Sequence, residues 1–262
     1  MKSKIVICIL VYYYFFYKKY KIKFYVINLK KDENRMKFIR DNLLINKINF
    51  QRIEAISLQD YDLNSKNLQN ILFPKKELIN KKFTHKDKEW IYDGTIYKSF
   101  PGLDLNSHWG TKGLTLSNIK TFNTILKQDK QYFSKKYFYH CILEDDAVIT
   151  KDTYNQILLF IKNHKYDVIL LDARFNGEGG CAGVIYSNDI IPKIKEDLHP
   201  CSKFSQENEK KHIHKKGLNC NLWDWKLYSY LKTFNINFGR LPIVKTNGLI
   251  STINTKFSAQ KN

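Results

Sequence analysis

The sequence predicts an α/β fold: a single domain with a Rossmann-like, mostly parallel sheet flanked by helices. Three observations carry this. Short apolar runs rich in β-branched and aromatic residues recur along the 262 residues, as strands do. Between them lie stretches with apolar residues three and four apart, the period of an amphipathic helix. The strand-like runs are apolar on both faces, as in a parallel sheet covered on both sides.

Residues 1–19 stand apart. Ile5 to Tyr17 is unbroken and apolar or aromatic, between Lys2, Lys4, Lys18 and Lys19. About 13 residues falls short of the roughly 20 that span a bilayer. No small-residue cleavage site of a signal peptide follows. A short uncleaved anchor, with tyrosines at the interface, and a buried or edge strand are the two readings. The sequence leaves the location open between membrane and cytoplasm.

The domain itself is expected over 20–253, followed by a polar tail, 254–262. Lys23 to Leu29 reads as the first strand. Asp32 can cap a helix carrying Met36, Ile39 and Leu43 on one face, and Asn46 and Lys47 end it. Phe50 to Ala55 is a second strand, which closes a parallel strand–helix–strand unit. Residues 59–108 are polar, with scattered aromatics, and read as a variable insertion.

Gly110 to Lys127 reads as a glycine turn followed by a helix with a stripe of Ile119, Phe122 and Leu126. Tyr137 to Leu143 is a buried strand. Asp152 or Thr153 can start the next helix. Asp167 to Leu171 and Cys181 to Tyr186 are further strands, joined by a glycine crossing at Gly177 to Gly180. Ser187 can cap a helix with Ile190, Ile191 and Ile194. A charged loop, Ser202 to Gly217, leads to a helix over Asn219 to Leu231, and Leu241 to Val244 is a last strand.

The chemistry concentrates after the buried strand, at Glu144, Asp145 and Asp146. In open α/β sheets, ligands sit beyond the carboxyl ends of the strands. Three adjacent carboxylates at a core edge need positive charge to offset repulsion and lost solvation. Mg2+ and Mn2+ prefer such oxygen ligands. Alternation along a strand would turn Glu144 and Asp146 to one ion. A solvated acidic turn is the other reading.

Composition narrows the partners. A formal charge of +19 would suit a polyanion, but the lysines come in pairs along the whole chain. A nucleic-acid footprint clusters instead, so no nucleic-acid partner is expected. Five scattered cysteines without a Cys-x-x-Cys exclude a disulfide scaffold and a zinc ribbon. His212 and His214 sit in a lysine-rich stretch and read as a solvated loop.

Taken in order, these motifs resemble the family 25 glycosyltransferases, the lipooligosaccharide and procollagen galactosyltransferase type. Phe24 to Leu29, Asn34-Arg35 and Phe50-x-Arg52-Ile53-x-Ala55-Ile56 resemble its opening. Gly113 to Ile119 resembles its second signature, and Leu143-Glu144-Asp145-Asp146 its acidic one. Asp167 to Leu171 and Gly183 to Ser187 resemble the two strands after it. Trp223-Asp224 and Gly248 to Ile253 resemble its late segments. The likeness is collinear over about residues 23–253. Asn118 stands where the family usually has His, Leu114 where it often has Cys, and Thr252 where it often has Asp.

The resemblance implies a GT-A type fold and a metal-dependent hexosyltransferase. The donor would be a nucleotide sugar, UDP-linked and carrying galactose or glucose. The acceptor would be a glycan, lipid-linked or protein hydroxyl. Glu144 and Asp146 would hold Mn2+ or Mg2+. Asn28, Leu29, Arg35, Ser117 and Asp145 would contact the donor. Asp224, between Trp223 and Trp225, would act as the base; an ordinary helix-start carboxylate is the other reading of that residue. For Asn28 the other reading is a turn residue. An inactive member acting as a binding subunit, and a basic nucleic-acid-binding protein, are the alternatives to an enzyme.

Overall fold

Two parallel strands form the spine. β1 (Ile22–Asn28) and β5 (Tyr139–Glu144) pair in register, Ile22 with Tyr139 through Ile27 with Glu144. A computed structural model describes residues 22–57, 82–85, 88–91, 105–131, 138–173, 181–199, 202–205, 207 and 223–247.

Around the spine the order is α1 (Glu33–Ile45), β2 (Phe50–Glu54), β3 (Lys82–His85), β4 (Lys88–Ile91) and α2 (Leu105–Gln131). After β5 come β6 (Ala147–Val148), α3 (Lys151–Asn163), β7 (Val168–Asp172), β8 (Gly183–Ser187), α4 (Ile191–Asp197), α5 (Trp223–Thr233) and β9 (Phe238–Thr246). The main sheet has seven strands in the order β2-β1-β5-β8-β7-β9-β6. β8 runs antiparallel to β5 and β7, and β6 antiparallel to β9; the other five strands point one way. The expected α/β class and mostly parallel sheet are therefore found. β3 and β4 form a separate antiparallel hairpin.

Strand alternation divides the core into two layers. Tyr25, Ile27, Ile142, Val184 and Leu170 pack with residues of α2, α4 and α5. Phe24, Val26, Cys141, Leu143, Ile169 and Ile185 pack with residues of α1 and α3. Met36, Ile39 and Leu43 form the buried stripe of α1, as their spacing predicts.

Several boundaries differ for local reasons. Gly110 and Gly113 do not make a turn: α2 runs unbroken from Leu105, so it takes in the end of the expected insertion. Gly113 answers a packing need instead. A Cβ there would lie 2.5 Å from the Ile56 carbonyl oxygen. The cap of α3 is Thr150, not Asp152 or Thr153; its hydroxyl accepts from Thr153 N at 3.1 Å. Ser187 does not cap α4. Its hydroxyl bonds Asp167 Oδ1 at 3.3 Å, and α4 starts four residues later with Pro192 in its first turn. Asp32 holds the N-cap position of α1 without a side-chain cap bond. The last strand is longer than expected, at nine residues.

The Ile5 to Tyr17 run, Gly177 to Gly180, His212, His214, Thr252 and the tail lie outside the described residues, as do most of the expected insertion and of the charged loop. Among the described residues no helix is long and apolar enough to cross a membrane.

Candidate active site

The five co-directed strands bring their carboxyl ends to one edge of the sheet. Asn28, Glu54, Glu144, Asp172 and Thr246 terminate them there. Asn28 is fully buried, and it lies beside Asp145 because Ile27 is in register with Glu144.

β5 ends at Glu144, and Asp145 and Asp146 form a turn. The alternation expected to turn Glu144 and Asp146 to one ion therefore stops one residue short. Glu144 shares the parity of Ile142, so it belongs to the α2–α5 face. Asp145 and Asp146 turn to α1 on the opposite face, where Arg35 lies in the first turn of that helix.

Arg35 Nη2 lies 2.5 Å from Asp145 Oδ1 and 3.5 Å from Asp146 Oδ2. Asn28 Nδ2 donates to Asp145 Oδ2 at 2.7 Å and to the Asp32 carbonyl at 3.1 Å. Arg52 Nη2 in turn donates to Asn28 Oδ1 at 2.6 Å. Two guanidinium groups, one amide and two carboxylates thus form a continuous network. Burial pushes the Asp145 carboxyl above its ordinary range, and Arg35 and Asn28 pull it part of the way back. Arg35 supplies the positive charge that the carboxylates require. One oxygen is left over: Asp146 Oδ1 is buried and makes no hydrogen bond. The Asp146 carbonyl is fixed by the Asn247 amide at 3.0 Å.

Across the strand end lies a cleft of about 230 Å³, solvent at its mouth included. Ile27, Asn118, Glu144, Cys181 and Trp223 are among its walls. Trp223 is buried at the start of α5, and Asp224 follows it, half-buried, in the first turn. Asp224 therefore sits on the helix that walls the Glu144 side, while Asp146 sits over the other face. Consecutive residues 144–146 are what join the two halves.

Other predicted residues have structural partners. Ser117 Oγ donates to the Gly113 carbonyl at 2.6 Å and accepts from Ile56 N at 2.8 Å, which ties the exit of β2 to α2. The Leu29 carbonyl accepts from Asp32 N at 3.1 Å and turns the chain into α1. Asn118 Nδ2 bonds the Leu114 carbonyl of its own helix at 3.0 Å. Among the described residues no group of three His, Cys, Asp or Glu side chains is placed to hold a metal ion by itself.

Sequence reasoning gave no role to Arg52 or Asp172. Arg52 carried a signal, as the one cation in a short strand beside the strand ending at Asn28. Asp172 is buried and accepts from Ala182 N at 2.9 Å, fixing the start of β8; a carboxylate ending an apolar run was its signal.

No family model matches the chain. No curated protein matches it. A solved glycosyltransferase is similar. It is the glycosyltransferase involved in the glycosylation of the major capsid of PBCV-1, at 8% identity and a TM-score of 0.44. The match covers 88% of this chain and 94% of that one.

Proposed function

We propose that the protein is a metal-dependent glycosyltransferase of the family 25 type. It would move a hexose, galactose or glucose, from a UDP-linked donor to a hydroxyl of a glycan, a lipid-linked acceptor or a protein. The observation that carries the reading is the turn at Glu144, Asp145 and Asp146. It joins a cation-neutralised carboxylate network on one face to a tryptophan-walled cleft on the other.

The donor set fits Mn2+ or Mg2+. Such ions are held through one or two carboxylates together with substrate phosphates, and the spare Asp146 oxygen is a hard oxygen ligand of that kind; Glu144, on the other face, lines the cleft instead. When bound, the ion would neutralise the charge that builds on a departing nucleoside diphosphate. Asp145 would not ligate. Held by Arg35 and Asn28, it fixes the turn and so sets the direction of Asp146. Arg35 keeps Asp145 and Asp146 close together despite their like charge. Trp223, buried against Phe122, fixes the start of α5 beside the cleft. Asp224, next along α5, would accept the acceptor hydroxyl proton.

The test is a hydrolysis and transfer screen over several nucleotide sugars with Mn2+, read as free nucleotide. Release of UDP from a hexose donor, lost with EDTA and restored by Mn2+, supports the reading. No turnover of any nucleotide sugar, and no binding of a nucleoside diphosphate with Mn2+, would overturn it.

A further inference from the structure

The described residues expose four large apolar side chains: Leu44 at 53%, Ile45 at 80%, Leu159 at 59% and Phe234 at 43%. Three of them lie at one end of the molecule. α1 links two parallel strands, so it runs back against them, and Leu44 and Ile45 close it beside the start of β2. Phe234 follows α5 and precedes β9, whose first residue, Phe238, pairs with the first of β7, Val168. All three therefore sit at the amino ends of the co-directed strands, opposite the carboxylate turn. Leu159 is on α3, exposed between the buried Ile157 and Ile161.

Cations gather at the same end. Lys47 lies in the link from α1 to β2, Lys165 in the link from α3 to β7, and Lys162 and Lys232 in the last turns of α3 and α5. All four are exposed. Lys193 Nζ lies 5.4 Å from the Phe234 ring centre. Asp41, Asp189 and Glu196 are exposed acids on the neighbouring elements, so the balance is positive; Asp152 opens α3 at the other end. β1 begins here as well. The 21 residues that precede it carry the lysine-flanked apolar run Ile5 to Tyr17 and join the fold at this end.

We propose that this end is a membrane-docking surface for anionic lipid. Leu44, Ile45 and Phe234 enter the headgroup region while the surrounding lysines meet lipid phosphates. Apolar contact plus attraction to anionic headgroups is how peripheral proteins bind membranes. An acidic protein would also answer the lysines, but the lysine-flanked apolar run Ile5 to Tyr17 that leads into β1 favours lipid. The consequence is an orientation. The seven residues of β1 hold the carboxylate edge about 20 Å above the lipid, facing away from it. This inference does not depend on the proposed reaction.

Flotation of the full chain with phosphatidylcholine vesicles, with and without phosphatidylglycerol, tests it. Wild type should bind the anionic vesicles and lose binding in high salt. The double variant Leu44→Glu with Ile45→Glu changes exposed positions and should keep the wild-type melting temperature, yet bind at least tenfold more weakly. A second variant, Lys47→Gln with Lys162→Gln, Lys165→Gln and Lys232→Gln, should weaken binding similarly. Three results would overturn the proposal: no vesicle binding by wild type, binding indifferent to phosphatidylglycerol, or both variants binding as wild type does. A lipid-free dimer that the first variant dissolves would overturn it too, and would assign the surface to a second copy of the chain.

Discussion

Arg35 Nη2 lies 2.5 Å from Asp145 Oδ1, so α1 holds a turn more than a hundred residues away. This ion pair fixes the geometry of the site, and its removal has a defined cost. Arg35→Met leaves Asp145 buried against Asn28 alone. Breaking a buried pair from one side costs about 3 kcal/mol, and urea unfolding should show a loss of that order. Adding Asp145→Asn removes the stranded charge and should return part of the stability. Additive losses in this double-mutant cycle would mean that the pair carries no coupling.

Ser117 ties α2 to the end of β2. Ser117→Ala removes a hydroxyl that bonds both Gly113 O and Ile56 N. A donor left unsatisfied costs about 1–2 kcal/mol, and a lower urea midpoint should report it. Gly113→Ala should cost about 2 kcal/mol by overpacking against the Ile56 carbonyl. Nucleotide affinity should hardly change in Ser117→Ala. A large loss of affinity with unchanged stability would give Ser117 the ligand role instead.

His140 gives the acid limb of stability a predictable slope. Burial, then the neighbouring Lys23, lowers its pKa to about 3 from 6.5. Between those values the unfolded chain binds a proton that the folded chain refuses. The contribution is intact above about pH 6.5 and falls as pH drops toward 3, by about 1.4 kcal/mol per pH unit. His140→Phe keeps a ring near Tyr25, now 5.8 Å between centres, and its stability curve should be flatter than that of wild type over this window. Parallel curves would show that His140 does not carry the slope.

The proposed function makes Asp224 the base on the acceptor side. Asp224→Asn should preserve donor binding and lower kcat and kcat/KM together by about 100-fold, as loss of a general base does. A raised KM with unchanged kcat would make Asp224 a binding residue only.

β1, β5, β7 and β8 were legible because they are buried on both faces and so are marked by composition. β1, β5 and β7 fall within two residues of the expected bounds at the ends that the structure describes. The acidic turn was legible for the same reason, since three carboxylates directly after a buried strand stand out. Their orientation was not. Strand alternation cannot be extended into a turn, and the partner Arg35 comes from a remote helix. Gly110 and Gly113 misled because a glycine demanded by close packing looks like a glycine that ends a helix. Ser117 carries no local sign that its hydroxyl is spent on Ile56. The antiparallel course of β8 was invisible too, because direction depends on the length and path of the preceding connection.

The proposed function requires Asp146 to hold the metal through which a nucleotide sugar is bound. Isothermal titration of UDP into wild type and Asp146→Asn, each with and without Mn2+, addresses it directly. Wild type should bind UDP only with Mn2+, and Asp146→Asn should lose that metal-dependent binding while keeping its melting temperature. Equal affinity of the two proteins for UDP in the presence of Mn2+ would contradict the account.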